Sequence, residues 1–483
     1  MTQPMLDLDN IQGDVVVGLQ KDCEVFLFFK IVDPPLFKKS MRLHVVSRIT
    51  TARLAHRREL VLRSRKGLYR KIGDAMRGLN IGFTKDGLTE IIGAGRPRLD
   101  PAFEKGAGNR ETIEKLHDPP SSDWLKEFVS DRIDGILLIT GPSRSVVRLY
   151  QKDLLRFLGA SIKVVYSEIG NTRPGAQRGF EHFGYRDGIS QPGIRGLTRR
   201  SRPATNPDLG LPGQDLIWPG EFVFGYPGQD PSNAVKPGPP PQMAAPWLRN
   251  GSYMVFRRLE QKVPEFRKFV ADRAARLGMA PDLLGARMFG RWKSGAPLEL
   301  APLYDNPALG RDDMRNTDFD YSDDPFQRRC PYAAHIRKAY PRDDAPGGEA
   351  KAQRHRILRA GITFGPEVAP NETTTAHSRG LMFVCYQTSI ERQFEYIQRS
   401  DANDPDFVSG KVRPRSDAPV TPGFDPIIGQ ATGNGARAMD EPYPNYPAGN
   451  RRTTLEMPSQ FVVLTAAGYF FMPSITALRT VLT

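Results

Sequence analysis

Gly135-Ile136-Leu137-Leu138-Ile139-Thr140, then residues 143–158, then Ile162-Lys163-Val164-Val165-Tyr166 decide the fold of this chain. The outer two pieces are short, apolar and rich in β-branched residues, as buried strands are. The piece between them reads as a helix. Working upstream, residues 24–32 form an aromatic and β-branched run that stops at Pro34-Pro35, which predicts another strand. Residues 36 to about 67 carry apolar side chains at helical spacing, with neither Gly nor Pro until the end. Leu79-Asn80-Ile81-Gly82-Phe83-Thr84 adds a strand, and residues 95–133 read as a loop-rich excursion. The order is β-α-β and again β-α-β, the split arrangement of a ferredoxin-like sandwich.

A related set follows with long insertions. Residues 221–226 and 251–259 read as strands and 263–277 as a helix. Residues 379–387 read as an apolar strand running into a helix at 389–398, and 460–472 as a strand or hairpin closed by a short helix from Ser474. The fold class is therefore α+β, with two ferredoxin-like lobes of antiparallel sheet and packed helices, residues 1–175 and 176–483. Two Pro-rich stretches, 235–246 and 400–446, interrupt the second lobe. A loop as long as the latter is often functional or wraps a cofactor.

Composition narrows the class. The chain has 483 residues, 39% hydrophobic and 25% charged, which suits a globular protein with a substantial core. No apolar run approaches the roughly 20 residues that span a bilayer. Three cysteines cannot supply a disulfide framework, and their spacing does not suit a metal. The first residues lack the basic-then-apolar layout of a secretory signal. The expectation is a cytoplasmic protein, with leaderless export as the alternative. The net charge is +14. Much of the excess lies at Arg53, Arg57, Arg58, Arg63, Arg65, Lys66, Arg70 and Lys71 and at Arg199, Arg200 and Arg202. The first set reads as a solvated helix face, and no nucleic-acid-binding motif accompanies it.

Three segments carry chemistry. Phe183-Gly184-Tyr185-Arg186-Asp187-Gly188-Ile189-Ser190-Gln191-Pro192-Gly193 sets a carboxylate before one glycine and three residues after another. Alone, Asp-Gly reads as a turn. Downstream stand Cys330-Pro331-Tyr332-Ala333-Ala334-His335-Ile336-Arg337 and Arg356-Ile357-Leu358-Arg359-Ala360-Gly361. A heme peroxidase needs an axial ligand, an open opposite face, an acid–base group and a positive charge near the leaving oxygen. Of seven histidines, His335 stands apart. Two alanines before it leave room for a flat macrocycle, and Arg337, Lys338 and Arg342 after it could meet propionates. His182 and His377 stay open on composition, while the arginines flanking His355 disfavour ferric ligation.

On these segments the chain resembles the dye-decolorizing peroxidases, in particular the long branch that includes the fungal enzymes. The likeness runs nearly end to end. It includes Asn10-Ile11-Gln12-Gly13-Asp14, Leu248-Arg249-Asn250-Gly251-Ser252-Tyr253, Gly380-Leu381-Met382-Phe383-Val384-Cys385-Tyr386-Gln387 and Asp425-Pro426-Ile427-Ile428-Gly429-Gln430. Gly184 to Gly188 fits the family's Gly-x-x-Asp-Gly motif. The resemblance implies one heme b per chain, held mainly by the C-terminal lobe. It assigns Asp187 as distal acid–base residue, Arg359 as distal arginine, His335 as iron ligand, and Leu381 and Phe383 as apolar pocket residues. It further implies oxidation of dyes and phenols by hydrogen peroxide through a ferryl intermediate, in a monomer or homodimer with no nucleic-acid or membrane partner. The alternative is a heme-handling protein with incidental peroxidase activity.

The pattern departs from the family at two places. Gly361 stands where smaller bacterial members have Asn, and Tyr340 stands where the family has Asn before Pro-Arg. Three carboxylates, Glu391, Glu395 and Asp404, are candidates to meet the His335 ring. Trp124, Trp218, Trp247, Trp292 and the tyrosines are candidates to pass electrons to bulky donors, with Trp247 the weakest. An Asp acid–base group, with an ordinary value of about 3.9, predicts an acidic activity optimum.

Overall fold

Nine strands hydrogen-bond into one antiparallel sheet in the computed structural model, which describes residues 5–64, 76–198, 210–412, 419–430, 437–441 and 453–483. They are β1 (Cys23–Ile31), β2 (Gly78–Phe83), β3 (Gly135–Gly141), β4 (Ile162–Asn171), β5 (Ser252–Gln261), β6 (Leu358–Arg359), β7 (Ile362–Phe364), β8 (Gly380–Gln387) and β9 (Val462–Met472). The order across the sheet is β6-β8-β5-β9-β2-β3-β1-β4, with β7 also pairing with β8. The N-terminal strands thus run 4-1-3-2. The C-terminal set repeats that order as β9-β5-β8-β6/β7, so each half has the ferredoxin-like arrangement.

The two halves meet along both edges. Phe471 of β9 pairs with Phe83 of β2. At the other ends of the path, Thr363 Oγ1 of β7 donates to the Asn171 carbonyl of β4 at 2.5 Å. Gly170 allows that approach, because a Cβ there would lie 2.4 Å from Ile362. Strand periodicity then sorts the core. Phe26, Phe28, Ile136, Leu138, Met254, Phe256, Met382 and Val384 face a core shared by the two halves. The opposite parity, including Val25, Leu27, Val255 and Cys385, faces the covering helices.

The helix α1 (Arg144–Leu158) starts where Ser143 Oγ accepts the Val146 N–H and buries Val147, Tyr150, Leu154 and Leu158 on one face. The helix α2 (Val263–Leu277) ends at Gly278, whose φ of 66° caps it.

Three expectations are corrected. Residues 36–67 are not one helix. An α-turn at Pro34–Ser40 passes through a π-segment and a 3-10 turn, and a new helix begins at Ala52. The break falls at Ile49-Thr50-Thr51, whose backbone leaves the helix to bond Gly13, Gln12 and Leu79 instead. Residues 221–226 are buried but form a 3-10 turn and bends, because Glu221 and Phe224 direct their backbone to Trp218 and Gly251. The helix at 389–398 is only Phe394–Tyr396, continued by a π-segment at Ile397–Ala402. Arg65, Lys66, Arg70, Lys71, Arg199, Arg200 and Arg202 lie outside the described residues. Among those described, no helix is long and apolar enough to cross a membrane.

Candidate active site

A large cavity opens between the outer face of the C-terminal half-sheet and the loops that cover it, with about 2020 Å3 of non-protein space including its mouth. Small-molecule sites commonly hold about 300–1,000 Å3, and the volume comparable with that range is about 270 Å3 here, the rest being open mouth. Alternation along β8 supplies one wall. Leu381 and Phe383 are half-buried and line the cavity, while Met382 and Val384 point into the shared core. Leu259 and Arg257, opposite Leu381 and Phe383 on β5, line it too.

Asp187 sits on a turn made possible by Gly184 and Gly188, at φ 99° and 82°. Its Oδ1 accepts the Gly188 N–H at 2.6 Å and Arg359 Nη1 at 3.0 Å, and no described residue bonds Oδ2. Arg359 Nη2 donates to the Ile189 carbonyl at 2.9 Å. Gln191 grips the Arg359 backbone at both ends, donating to its carbonyl at 2.5 Å and accepting its N–H at 3.3 Å. Ser190 adopts a left-handed φ of 62°, a strained conformation for a residue with a Cβ. Arg291 holds its hydroxyl at 2.7 Å and Arg356 its carbonyl at 3.1 Å. The same cavity is lined by His335, the first residue of the short helix α3 (His335–Ala339). His335 Nδ1 meets Asp425 Oδ2 at 2.8 Å, and no described residue bonds its Nε2. Asp425 is fully buried, and its Oδ1 accepts the N–H groups of Ile427 at 2.8 Å and Ile428 at 3.0 Å.

This pairing of a carboxylate-tied histidine with an Asp–Arg pair has counterparts in known proteins. Residues 10–174 match the family described as the DyP dimeric alpha+beta barrel domain, and residues 285–408 match the C-terminal part of Dyp-type peroxidases. The chain is 36% identical to a dye-decolorizing peroxidase of Mycetinis scorodonius, over 99% of this chain and 88% of that one. The chain belongs to the dye-decolorizing peroxidases. A solved variant of the Pleurotus ostreatus member superposes with a TM-score of 0.84 at 37% identity, covering 99% of this chain and 100% of the other. A family member in complex with 2,6-dimethoxyphenol superposes at 0.82 and 35%, with the same coverage.

Within this dye-decolorizing peroxidase several expectations change. The carboxylate on His335 is Asp425, not Glu391, Glu395 or Asp404. Glu391 and Glu395 both bind Lys115, and Glu395 also accepts the Tyr469 hydroxyl. Asp404 turns its side chain to the Asp406 N–H. Asp425 comes from the long Pro-rich loop, which also lends Phe407, Ile427, Ile428 and Gln430 to the cavity wall. Ala333 and Ala334 do not make room for a macrocycle. They are fully buried, and Ala334 packs toward Gly290. Of the three basic residues after His335, only Arg342 lines the cavity. Arg337 is buried in ion pairs with Asp324 and Asp344, and Lys338 donates to the carbonyls of Asp404 and Phe407.

The other histidines are engaged or remote. His182 donates Nε2 to the Phe364 carbonyl, and burial pushes it down to about 4. His355 stacks on Tyr396 and bonds the Arg392 carbonyl, and burial likewise pushes it down to about 4. His377 is exposed. Trp124, Trp218 and Trp292 are buried, which removes them as surface relays. Trp247, held to be the weakest, is the only half-exposed one of the four and packs on Phe471.

Sequence reasoning named Arg342 and Arg359 but missed Arg291 and Arg356, which complete an arginine wall. Arg291, Arg342, Arg356 and Arg359 converge on one side of the cavity. Burial, with Arg342 and Arg359 close by, pushes Arg291 down to about 9. A cluster of that kind calls for anionic company. It also missed Glu181, whose carboxylate accepts the N–H groups of Phe183 and Tyr185 at 2.9 and 2.7 Å and stiffens the Asp187 turn. Its place six residues before Asp187 was the available signal.

Proposed function

We propose that this chain binds one heme b in the cavity and uses hydrogen peroxide to oxidise bulky aromatic donors such as dyes and phenols. The observation that carries the reading is that one cavity joins a histidine with a free Nε2, an apolar wall and a cluster of arginines. The nitrogen suits iron, Leu259, Leu381 and Phe383 suit a porphyrin face, and the arginines suit the two propionates. When bound, heme supplies the site where peroxide is reduced and from which two donors are oxidised, one electron each.

The chain's own residues do the rest. Asp425 accepts the Nδ1 proton of His335, which fixes the tautomer and keeps the Nε2 lone pair directed into the cavity. The free Oδ2 of Asp187 takes a proton from one peroxide oxygen and returns it to the other, the leaving oxygen. Arg359 places positive charge where that oxygen gains electron density. It also holds Asp187 in place through Oδ1. The apolar wall limits water around the reacting oxygens.

The test combines a spectrum with one variant. Purified holoenzyme should show the Soret band of a histidine-bound heme, and Asp187→Asn should retain that band. The variant should lose about 10²–10⁴-fold in kcat/KM for peroxide, the usual scale of acid–base catalysis. Unchanged turnover in Asp187→Asn would favour a heme-handling protein over a peroxidase.

A further inference from the structure

Arg437 is a buried cation whose guanidinium no described residue hydrogen-bonds. It is 6% exposed, and none of its three guanidinium nitrogens has a hydrogen-bond acceptor among the described residues. An unpaired charge in the interior is costly and calls for an explanation. Strand pairing shows where it sits. Gly423 bridges Met439 in antiparallel register, and the Phe424 N–H donates to the Ala438 carbonyl at 2.9 Å. One residue further, the same register sets Asp425 opposite Arg437. Cross-strand neighbours stand about 5 Å apart at Cβ and share a face. Asp425 already accepts from Ile427, Ile428 and His335. Arg437 therefore acts on it through space, with no direct bond. Burial pushes the guanidinium down to about 10, opposed by Asp425, so it is still charged at neutral pH. Lys338 also lies near Asp425, but its ammonium is occupied by the carbonyls of Asp404 and Phe407.

We propose that Arg437 is a positioning residue for charge: it draws density on Asp425 away from His335 and so limits how strongly His335 donates to the heme iron. The inference rests on the heme reading above. A carboxylate on the ring of an axial histidine strengthens the ligand and favours the ferric state, and a cation beside that carboxylate weakens the effect.

The test loads the parent protein, Arg437→Gln and Arg437→Lys with heme. The ferric/ferrous midpoint is measured by spectroelectrochemistry and the iron–histidine stretch by resonance Raman. Arg437→Gln should shift the midpoint to lower potential and raise the stretching frequency, whereas Arg437→Lys should stay near the parent on both. Unmoved values in Arg437→Gln, or an equal shift in Arg437→Lys, would overturn the inference while leaving the heme reading intact. A parent spectrum without histidine-bound heme would overturn both.

Discussion

Asp187 and Arg359 are 172 positions apart in the chain, yet their side chains meet at 3.0 Å. Gln191, four residues after Asp187, bonds the Arg359 backbone and makes the meeting reproducible. Gln191→Ala should therefore lower kcat/KM for peroxide while heme content stays at the parent level, measured by steady-state kinetics alongside the Soret absorbance. Asp425 acts on His335, the proposed iron ligand. Asp425→Asn replaces the carboxylate on His335 by a neutral amide, and loss of such support typically costs about 10–100-fold in metal affinity or activity. Heme transfer to an apo-globin acceptor would report that loss as faster release. A variant that releases heme at the parent rate would mean that Asp425 does not support the ligand.

Elements matter through how closely they approach. β8 presents Leu381 and Phe383 to the cavity only while it stays paired with β5, and that pairing begins at Gly380. A Cβ at Gly380 would lie 1.9 Å from the Leu259 carbonyl oxygen, a contact with rigid backbone. Gly380→Ala should destabilise the fold by about 1–3 kcal/mol, the usual range for overpacking. Denaturant unfolding would read this as a lower midpoint. The start of α1 offers a milder case. Ser143 caps the Val146 N–H, so Ser143→Ala should cost about 1 kcal/mol without altering peroxide kinetics.

Across the whole molecule, buried titratable groups set the response to pH. Burial pushes Glu24, Glu181 and Glu299 up to about 7 from an ordinary 4.5. The folded chain binds these protons as pH falls through about 7, whereas the unfolded chain waits until about 4.5. Their contribution to stability therefore grows as pH falls across that window and is lost as pH rises back through 7. His182 and His355, pushed down to about 4 from 6.5, act in the opposite sense below 6.5, because the unfolded chain protonates first. Three carboxyls against two imidazoles leave the acid side favoured. Calorimetry should show a higher Tm at pH 5 than at pH 7, and Glu24→Gln should flatten the difference. A Tm that falls steadily from pH 7 to 5 would contradict this account.

Local pattern determined the repeated β-α-β order, the boundaries of α2 and the turn at Asp187, because periodicity and glycine placement act over a few residues. Family resemblance, carried by ordered motifs, picked out Asp187, His335 and Arg359. Tertiary structure decided what depended on distant chain. The Ile49-Thr50-Thr51 break reflects bonds to Gly13, Gln12 and Leu79. The choice of Asp425 over three other carboxylates depended on a loop folding back 90 residues to reach the His335 ring. The fate of Arg337 and Lys338, placed by sequence at the cavity, was settled by buried partners that no local signal reveals. Spacing identified which groups could do the chemistry, and long-range packing chose which of them meet.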